Sequence, residues 1–265
     1  MHLPKNPLDL FNVNDKVAVI TGCTGSLGSM ASQLFGRSGC KLILSDRKDA
    51  PFDDLTRQLD GEDIDYQIVR HLPDTESHSE TIVETGIDSY GRVDILLVAS
   101  GYNDTDAIEN FDQERWQKVM DANVTGPWLI CKAMAKRLIP QKQGGKVILI
   151  SSTRSILGHP AGYSGYCTSK SAVDGLVRSL ACEWGQYGIN INALGPTVFR
   201  SNLSGWMFED NEHAKSVRDG MLARVPLGRL GEPEDLAGTL LFLASSASDF
   251  CTGQIIRPDG GYTAG

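Results

Sequence analysis

Lys16-Val17-Ala18-Val19-Ile20-Thr21-Gly22-Cys23-Thr24-Gly25-Ser26-Leu27-Gly28 joins a short apolar run to a glycine-containing turn, and Met30, Leu34 and Phe35 follow at helical spacing. Strand, turn and helix in that order are what a phosphate-cradling loop needs. Glycine permits a tight turn and close approach of the backbone, while the start of a helix presents unpaired N–H groups and the positive end of its dipole. Thr21, Gly22, Thr24, Gly25, Ser26, Leu27 and Gly28 are therefore candidate nucleotide-binding residues. Any βα turn can hold glycines, so the assignment leans on what comes next. Gly39-Cys40 closes the helix, Lys41-Leu42-Ile43-Leu44-Ser45 reads as a second strand, and Asp46 ends it 18 residues after Gly28. An acid at that separation accepts hydrogen bonds from an adenosine ribose and repels a 2′-phosphate, which points to NAD. Arg47, beside it, suits that phosphate and keeps NADP open as the second choice.

The alternation continues along the chain. Apolar runs at 66–69, 93–98, 146–150, 189–193 and 254–257 read as strands, and helical patterns fall at 52–59, 75–89, 113–120, 128–138, 169–187 and 234–243. Short apolar strands alternating with helices specify an α/β Rossmann fold, a doubly wound, seven-stranded parallel sheet flanked by helices, here one domain over residues 1–265. Right-handed crossovers gather the C-terminal ends of the strands on one edge. The loops to search are then Thr21 to Gly28, Ala99-Ser100-Gly101, Ser151-Ser152-Thr153 and Gly195-Pro196-Thr197.

Beyond the third of these loops stands Tyr166-Cys167-Thr168-Ser169-Lys170, with Val173, Leu176, Val177 and Leu180 continuing the helical pattern. The i,i+4 spacing puts a phenol and an ammonium on one face, about 6 Å apart at their Cβ atoms. A free phenol, with a pKa near 10, is too weak a base at neutral pH, but a neighbouring cation favours its phenolate. A solvated surface pair has the same spacing; what separates the two readings is Ser152, which ends the preceding strand and reaches the same pocket.

Bulk properties exclude several classes. The 265 residues carry a formal net charge of -8 and no block of Lys or Arg, which argues against a nucleic-acid surface. Six cysteines form neither a Cys-x-x-Cys pair nor the density of a disulfide framework, and five histidines lack ligand spacing, so no metal site is expected. The first residues lack the apolar run of a signal peptide, and no long apolar stretch suits a membrane. The expectation is a soluble, cytoplasmic protein without a membrane partner.

Thr21-Gly22 with Gly28, Asn123-Val124-Thr125-Gly126, residues 145–152, Tyr166 with Lys170, Asn192-Ala193 with Pro196, and Thr252-Gly253-Gln254 with Asp259-Gly260-Gly261 stand in a telling order. From about Asp15 to Gly261 the chain resembles the classical short-chain dehydrogenase/reductase family. That resemblance implies an NAD(P)-dependent enzyme acting on CH–OH, with a tetrad of Asn123, Ser152, Tyr166 and Lys170. Tyr166 would exchange a proton with a substrate hydroxyl or carbonyl, and Lys170 would lower its pKa and bind the nicotinamide ribose. Ser152 would hold the substrate oxygen, and Asn123 a water leading from Lys170 toward solvent. The usual spacing to the tyrosine selects Thr153 instead; Ser152 fits if the loop through Gly158-His159-Pro160-Ala161-Gly162 carries one extra residue.

The departures from the family pattern lie on the cofactor side. Ser26 replaces the middle glycine, Val98-Ala99-Ser100-Gly101 lacks both amides of the usual Asn-Asn-Ala-Gly, His71 with Leu72 stands where an aspartate commonly meets adenine, and Pro196-Thr197, leading to Val198, replaces Pro-Gly. Altered cofactor affinity is expected, with the tetrad intact.

On the substrate side, residues 197–208 read as a short helical lid, within a lid segment of about 197–225, whose acidic residues 209–212 meet water, or equally as a helix packed on the sheet or at a subunit contact; the family resemblance favours the lid. Arg154, His159, Tyr163, Phe199, Trp206 and Met207 are the candidate substrate contacts, Arg154 being suited to a carboxylate. The substrate class is a small-molecule secondary alcohol or ketone: a polyol, sugar, hydroxy acid or cyclic alcohol. Large apolar groups at Trp128, Met134 and Trp184 would leave a monomer with exposed apolar surface, and the family resemblance implies a homodimer or homotetramer. Two other functions stay open: a non-catalytic nucleotide-binding scaffold or sensor, and an epimerase or dehydratase using the same Tyr-Lys pair.

Overall fold

Five apolar or β-branched residues make β1 (Val17–Thr21), and all five are buried, as a parallel strand covered on both faces must be. The computed structural model, which describes residues 3–201 and 204–265, sets this strand inside a seven-stranded sheet ordered β3-β2-β1-β4-β5-β6-β7. Every pair is parallel. The other strands are β2 (Lys41–Ser45), β3 (Tyr66–Val69), β4 (Ile95–Val98), β5 (Gly145–Ile150), β6 (Ile189–Leu194) and β7 (Ile255–Ile256). The chain therefore forms the doubly wound Rossmann sheet that its alternation implies. Strand order reverses between β1 and β4, and the crevice at their C-terminal ends is where such sheets take ligands.

Helices cover both faces. α1 (Ser26–Arg37), α2 (Phe52–Gly61) and α8 (Ala237–Ala244) lay Phe35, Leu59, Leu240 and Leu243 against Ile20, Leu44 and Leu97. α3 (Glu76–Tyr90), α5 (Gly126–Gln141) and α6 (Ser164–Trp184) lay Ile82, Met134 and Val177 against Val19, Leu96 and Val147 on the other. Each such side chain contributes about 1.5–3 kcal/mol by leaving water, so the strand ends that carry the site rest on a firm base. α4 (Gln113–Met120) enters α5 through a π-helical turn, Asp121–Thr125, and α7 (Glu212–Leu222) follows β6.

Several boundaries differ from the sequence reading. The helix expected at 169–187 begins at Ser164, which brings Tyr166 within it. The strand expected at 93–98 starts at Ile95; the buried Asp94 carboxylate before it accepts the Val17 N–H at 3.0 Å. Only Ile255–Ile256 pairs in the last strand, and a 3-10 turn at Pro233–Leu236 precedes α8.

The expected lid needs a larger correction. Among the described residues of 197–208, the helical structure is a short 3-10 turn, Gly205–Phe208; Asn202 and Leu203 lie outside the described residues. The acidic run, residues 209–212, is exposed as expected, and its last two residues begin α7. There Asn211 Oδ1 accepts the Ala214 N–H at 2.8 Å, and Glu212 sits in the first turn, where a negative charge suits the helix dipole. Among the described residues, no helix is long and apolar enough to cross a membrane, and no three His, Cys, Asp or Glu gather as around a metal.

Candidate active site

The turn after β1 is shaped by what cannot fit in it. A Cβ on Gly22, whose φ is +69°, would lie 2.5 Å from Ser100 N, and one on Gly28 would lie 2.1 Å from Gly22 O. Only hydrogen is admitted at either place. α1 starts after Gly25 without a side-chain cap, so the N–H groups of Ser26, Leu27 and Gly28 have no side chain to satisfy them. A narrow backbone cradle with free donors fits the diphosphate of a dinucleotide. Ser26, in the place of a glycine, is accommodated as the first residue of the helix.

Asp46 lies at the end of β2 and is buried at 6% exposure. Its Oδ2 accepts the Thr24 N–H at 2.9 Å and the Thr24 hydroxyl at 2.7 Å, and its Oδ1 accepts the Arg47 N–H at 2.8 Å. The acid thus fastens the turn, a task its spacing did not reveal; a carboxylate has about four acceptor positions, which leaves one for a ribose hydroxyl. Arg47 is exposed. His71 is exposed, with Leu72 half-buried behind it, and its ring stacks at 4.1 Å on His78. Thr21 Oγ1 and Ser100 Oγ meet at 2.9 Å, joining the loops after β1 and β4. Pro196 is buried and its carbonyl accepts the Thr153 N–H at 3.0 Å, while Thr197 and Val198, half-buried, follow at the rim.

The cofactor-side loops and the tetrad touch at Gly101, where a Cβ would lie 3.2 Å from Asn123 Oδ1 and 3.7 Å from Lys170 Nζ. Asn123 sits in the π-helical turn; its Oδ1 accepts the Tyr102 N–H at 2.8 Å and its Nδ2 donates to Tyr102 O at 2.7 Å. That pair of bonds pins the loop after β4. Lys170 Nζ donates to Ile150 O at 2.8 Å and lies 5.5 Å from the centre of the Tyr166 ring. Burial brings the Lys170 ammonium down to about 8, with Asp174 acting in the opposite sense. Asp174, one turn further along α6, accepts the Ser151 hydroxyl at 2.5 Å and pairs with Arg257 at 3.2 Å. Neither Asp174 nor Arg257 stood out in the sequence; Asp174's only mark was the i,i+4 continuation of Tyr166 and Lys170.

The Tyr166 phenol is pushed up to about 12 by burial, and the groups that pull it back are Ser152 and then Arg154. The Lys170 ammonium donates to Ile150 O at the end of β5. Of the two candidate hydroxyls, Ser152 faces the phenol and accepts the Arg154 N–H at 3.1 Å. Thr153 is 2% exposed and turns into the 3-10 turn that Ser152 caps.

Three of the six substrate candidates gather here. The Tyr163 ring lies 6.1 Å from that of Tyr166 and 4.6 Å from that of His159, and Arg154 Cζ lies 6.0 Å from the Tyr163 ring. The other three do not. Phe199 is core beneath α8, Met207 fills a small cluster with Met221, Val225 and Tyr262, and Trp206 stacks on His213 at the surface. Tyr262 and Arg224 were missed, because they come from distant segments and meet Arg154 only in the fold. A cavity of about 500 Å³ lies elsewhere, between α5 and α6, lined by Trp128, Ile139, Leu180 and Trp184. Of the residues read as an oligomer face, Trp128 is exposed, but Met134 and Trp184 belong to the core.

The fold is the doubly wound Rossmann sheet, and comparison with known proteins narrows the class. Residues 22–263 match the family model described as enoyl-(acyl carrier protein) reductase. An uncharacterized oxidoreductase of Mycobacterium tuberculosis is 46% identical over 263 residues, covering 99% of this chain and 96% of that one. The 2-dehydro-3-deoxy-D-gluconate 5-dehydrogenase of Dickeya dadantii is 35% identical, covering 97% of this chain and 99% of that one. A gluconate 5-dehydrogenase from Burkholderia cenocepacia, solved in complex with NADP and tartrate, superposes with a TM-score of 0.90 at 27% identity, covering 98% and 100%. The chain belongs to the classical short-chain dehydrogenase/reductase family.

Proposed function

We propose that the protein is an NAD-dependent dehydrogenase that interconverts a secondary alcohol and its ketone, the substrate being a polyol, sugar, hydroxy acid or cyclic alcohol. The observation that carries this reading is the convergence of Tyr166, Ser152 and Lys170 within reach of the Gly22–Gly28 cradle. NAD, held by the cradle, Asp46 and Ala99 to Gly101, supplies the hydride-accepting carbon and, when oxidised, a positive charge that favours a neighbouring phenolate. Tyr166 Oη takes the proton of the substrate hydroxyl in oxidation and returns it in reduction. Ser152 Oγ holds the same substrate oxygen and favours the phenolate. Lys170 Nζ would hold the nicotinamide ribose as a hydrogen-bond donor, and Asn123 fixes the loop beside it. The half-burial of the phenol is what raises its pKa.

Preference for NAD rests on the negative charge of Asp46, buried at the end of β2; tighter binding of NADPH than NADH would show that exposed Arg47 governs instead. Two or four copies are read as pairing through the face that bears Trp128. The decisive experiment follows NADH formation with a panel of polyols, sugar acids, cyclic alcohols and steroids. Tyr166→Phe removes only the proton-exchanging hydroxyl, so it should retain the fold and NADH binding while lowering turnover by about 10²- to 10⁴-fold. Near-normal turnover in that variant would overturn the assignment.

A further inference from the structure

Arg154 and Arg224 hold no carboxylate among the described residues, whereas Arg115 pairs with two and Arg229 and Arg257 with one each. The two lie against one aromatic ring. Arg224 Cζ is 4.5 Å from the centre of the Tyr262 ring and Arg154 Cζ is 5.8 Å from it. Tyr262 itself is 3% exposed, wedged among Met207, Met221 and Val225, so it is a fixed partition with a guanidinium against it from each segment. Arg154 is further tied down: Nη1 donates to Gly158 O at 2.9 Å and Nη2 to Tyr262 Oη at 3.3 Å.

Both charges also bear on His159. Its pKa is lowered by burial first, then by Arg154 and Arg224, so at neutral pH the ring is uncharged and the positive charge here belongs to the two arginines. His159 Nδ1 accepts the Ala161 N–H at 3.2 Å, which in the neutral ring leaves the proton on Nε2 as a donor. Arg154 is anchored to the reacting centre through its own N–H on Ser152 Oγ, at 3.1 Å, and its charge reaches the Tyr166 phenol. Beside His159 and Tyr163 opens a cleft of about 410 Å³, whose rim also carries Glu109. Two neighbouring cations without a counter-ion repel each other, and a neutral polyol does nothing to relieve that; a carboxylate does, with charge-assisted bonds that a guanidinium forms in pairs.

We infer that the substrate carries a carboxylate a few carbons from its carbinol, received by Arg154 and Arg224 across the Tyr262 ring, an assignment that rests on the dehydrogenase reading above and narrows it to hydroxy acids and sugar acids. The lid segment thereby takes part in recognition, since Arg224 lies just past α7.

The test sets D-gluconate against D-glucitol, the same carbon chain with and without the charge, on the intact protein. The expected result is a kcat/KM ratio favouring the acid, and a fall of that ratio by about tenfold or more in Arg224→Gln, whose exposed position spares the fold. A wild-type protein that forms NADH from the alditol as readily as from the acid, with a ratio unmoved in Arg224→Gln, overturns the inference and leaves the dehydrogenase reading standing. If no alcohol in the panel yields NADH, that reading fails by itself. Calorimetric titration of D-gluconate then judges the site alone: binding weakened about tenfold in Arg224→Gln supports it, and no binding, or binding unchanged in the variant, overturns it.

Discussion

The two halves of the pocket recognise by different means. On the cofactor side the decisive surface is backbone: Gly22 and Gly28 exclude any side chain, and α1 begins uncapped behind them. All of this lies within eight consecutive positions, 21–28. On the substrate side, Arg154, Tyr163, Arg224 and Tyr262 come from four separate segments and meet through side chains alone. Backbone recognition is local and admits little variation. Side-chain recognition is assembled by the fold and can be retuned one residue at a time, which is how one scaffold serves many alcohols.

Gly28→Ala should break the cofactor half most deeply. The new methyl would meet Gly22 O at 2.1 Å, a backbone atom that cannot swing aside, so the turn itself must move. Overpacking of this kind costs about 1–3 kcal/mol, and here the displacement falls on the cradle. NADH binding, followed by its fluorescence, should weaken by about 100-fold, while calorimetric binding of D-gluconate persists. Wild-type NADH affinity in this variant would show that the cradle is not set by close backbone approach.

Asp174→Asn probes the seam between the halves. Asp174 holds the Lys170 pKa up against burial, so losing its charge lets that pKa fall below about 8, and the ammonium is lost at lower pH than in the wild type. The high-pH limb of the rate profile should shift toward acid, with turnover at pH 8 reduced by about tenfold. Arg257, deprived of its partner, should lower stability by about 3 kcal/mol. A profile that keeps its shape while stability drops would assign Asp174 a purely structural part.

The same contrast explains what the sequence made legible. The alternation of apolar strands and helices, the glycines at 22 and 28 and the i,i+4 pair Tyr166 and Lys170 are local patterns, and each stands in the fold as its spacing implies. Asp46 was visible as an acid at a strand end, but its grip on Thr24 was not, because that bond crosses two loops. Arg224 and Tyr262 carried no local signal. Phe199 and Met207 misled for the converse reason: apolar residues beside a site look like pocket lining, and only packing tells that they fill core instead. The start of α7 was similarly hidden, since acids on either side of a capping Asn resemble a solvated loop until the helix behind them is seen.

The smallest effect is expected at Trp206, where the substrate half ends. Its ring stacks on His213 at 5.7 Å and is 42% exposed, whereas Met207, the next residue, is 5% exposed and braces Tyr262. If that side-by-side difference is what divides lid surface from lid foundation, Trp206→Ala should change stability by less than about 1 kcal/mol and kcat/KM by no more than about twofold. Met207→Ala, by contrast, should cost about 2–3 kcal/mol and, by loosening Tyr262, raise KM for an acid substrate more than for its alditol. Thermal denaturation and paired kinetics separate the two. A tenfold loss of kcat/KM in Trp206→Ala at unchanged stability would mean that the segment closes over the substrate and carries the indole inward, and the substrate half would then be made by motion as well as by folding.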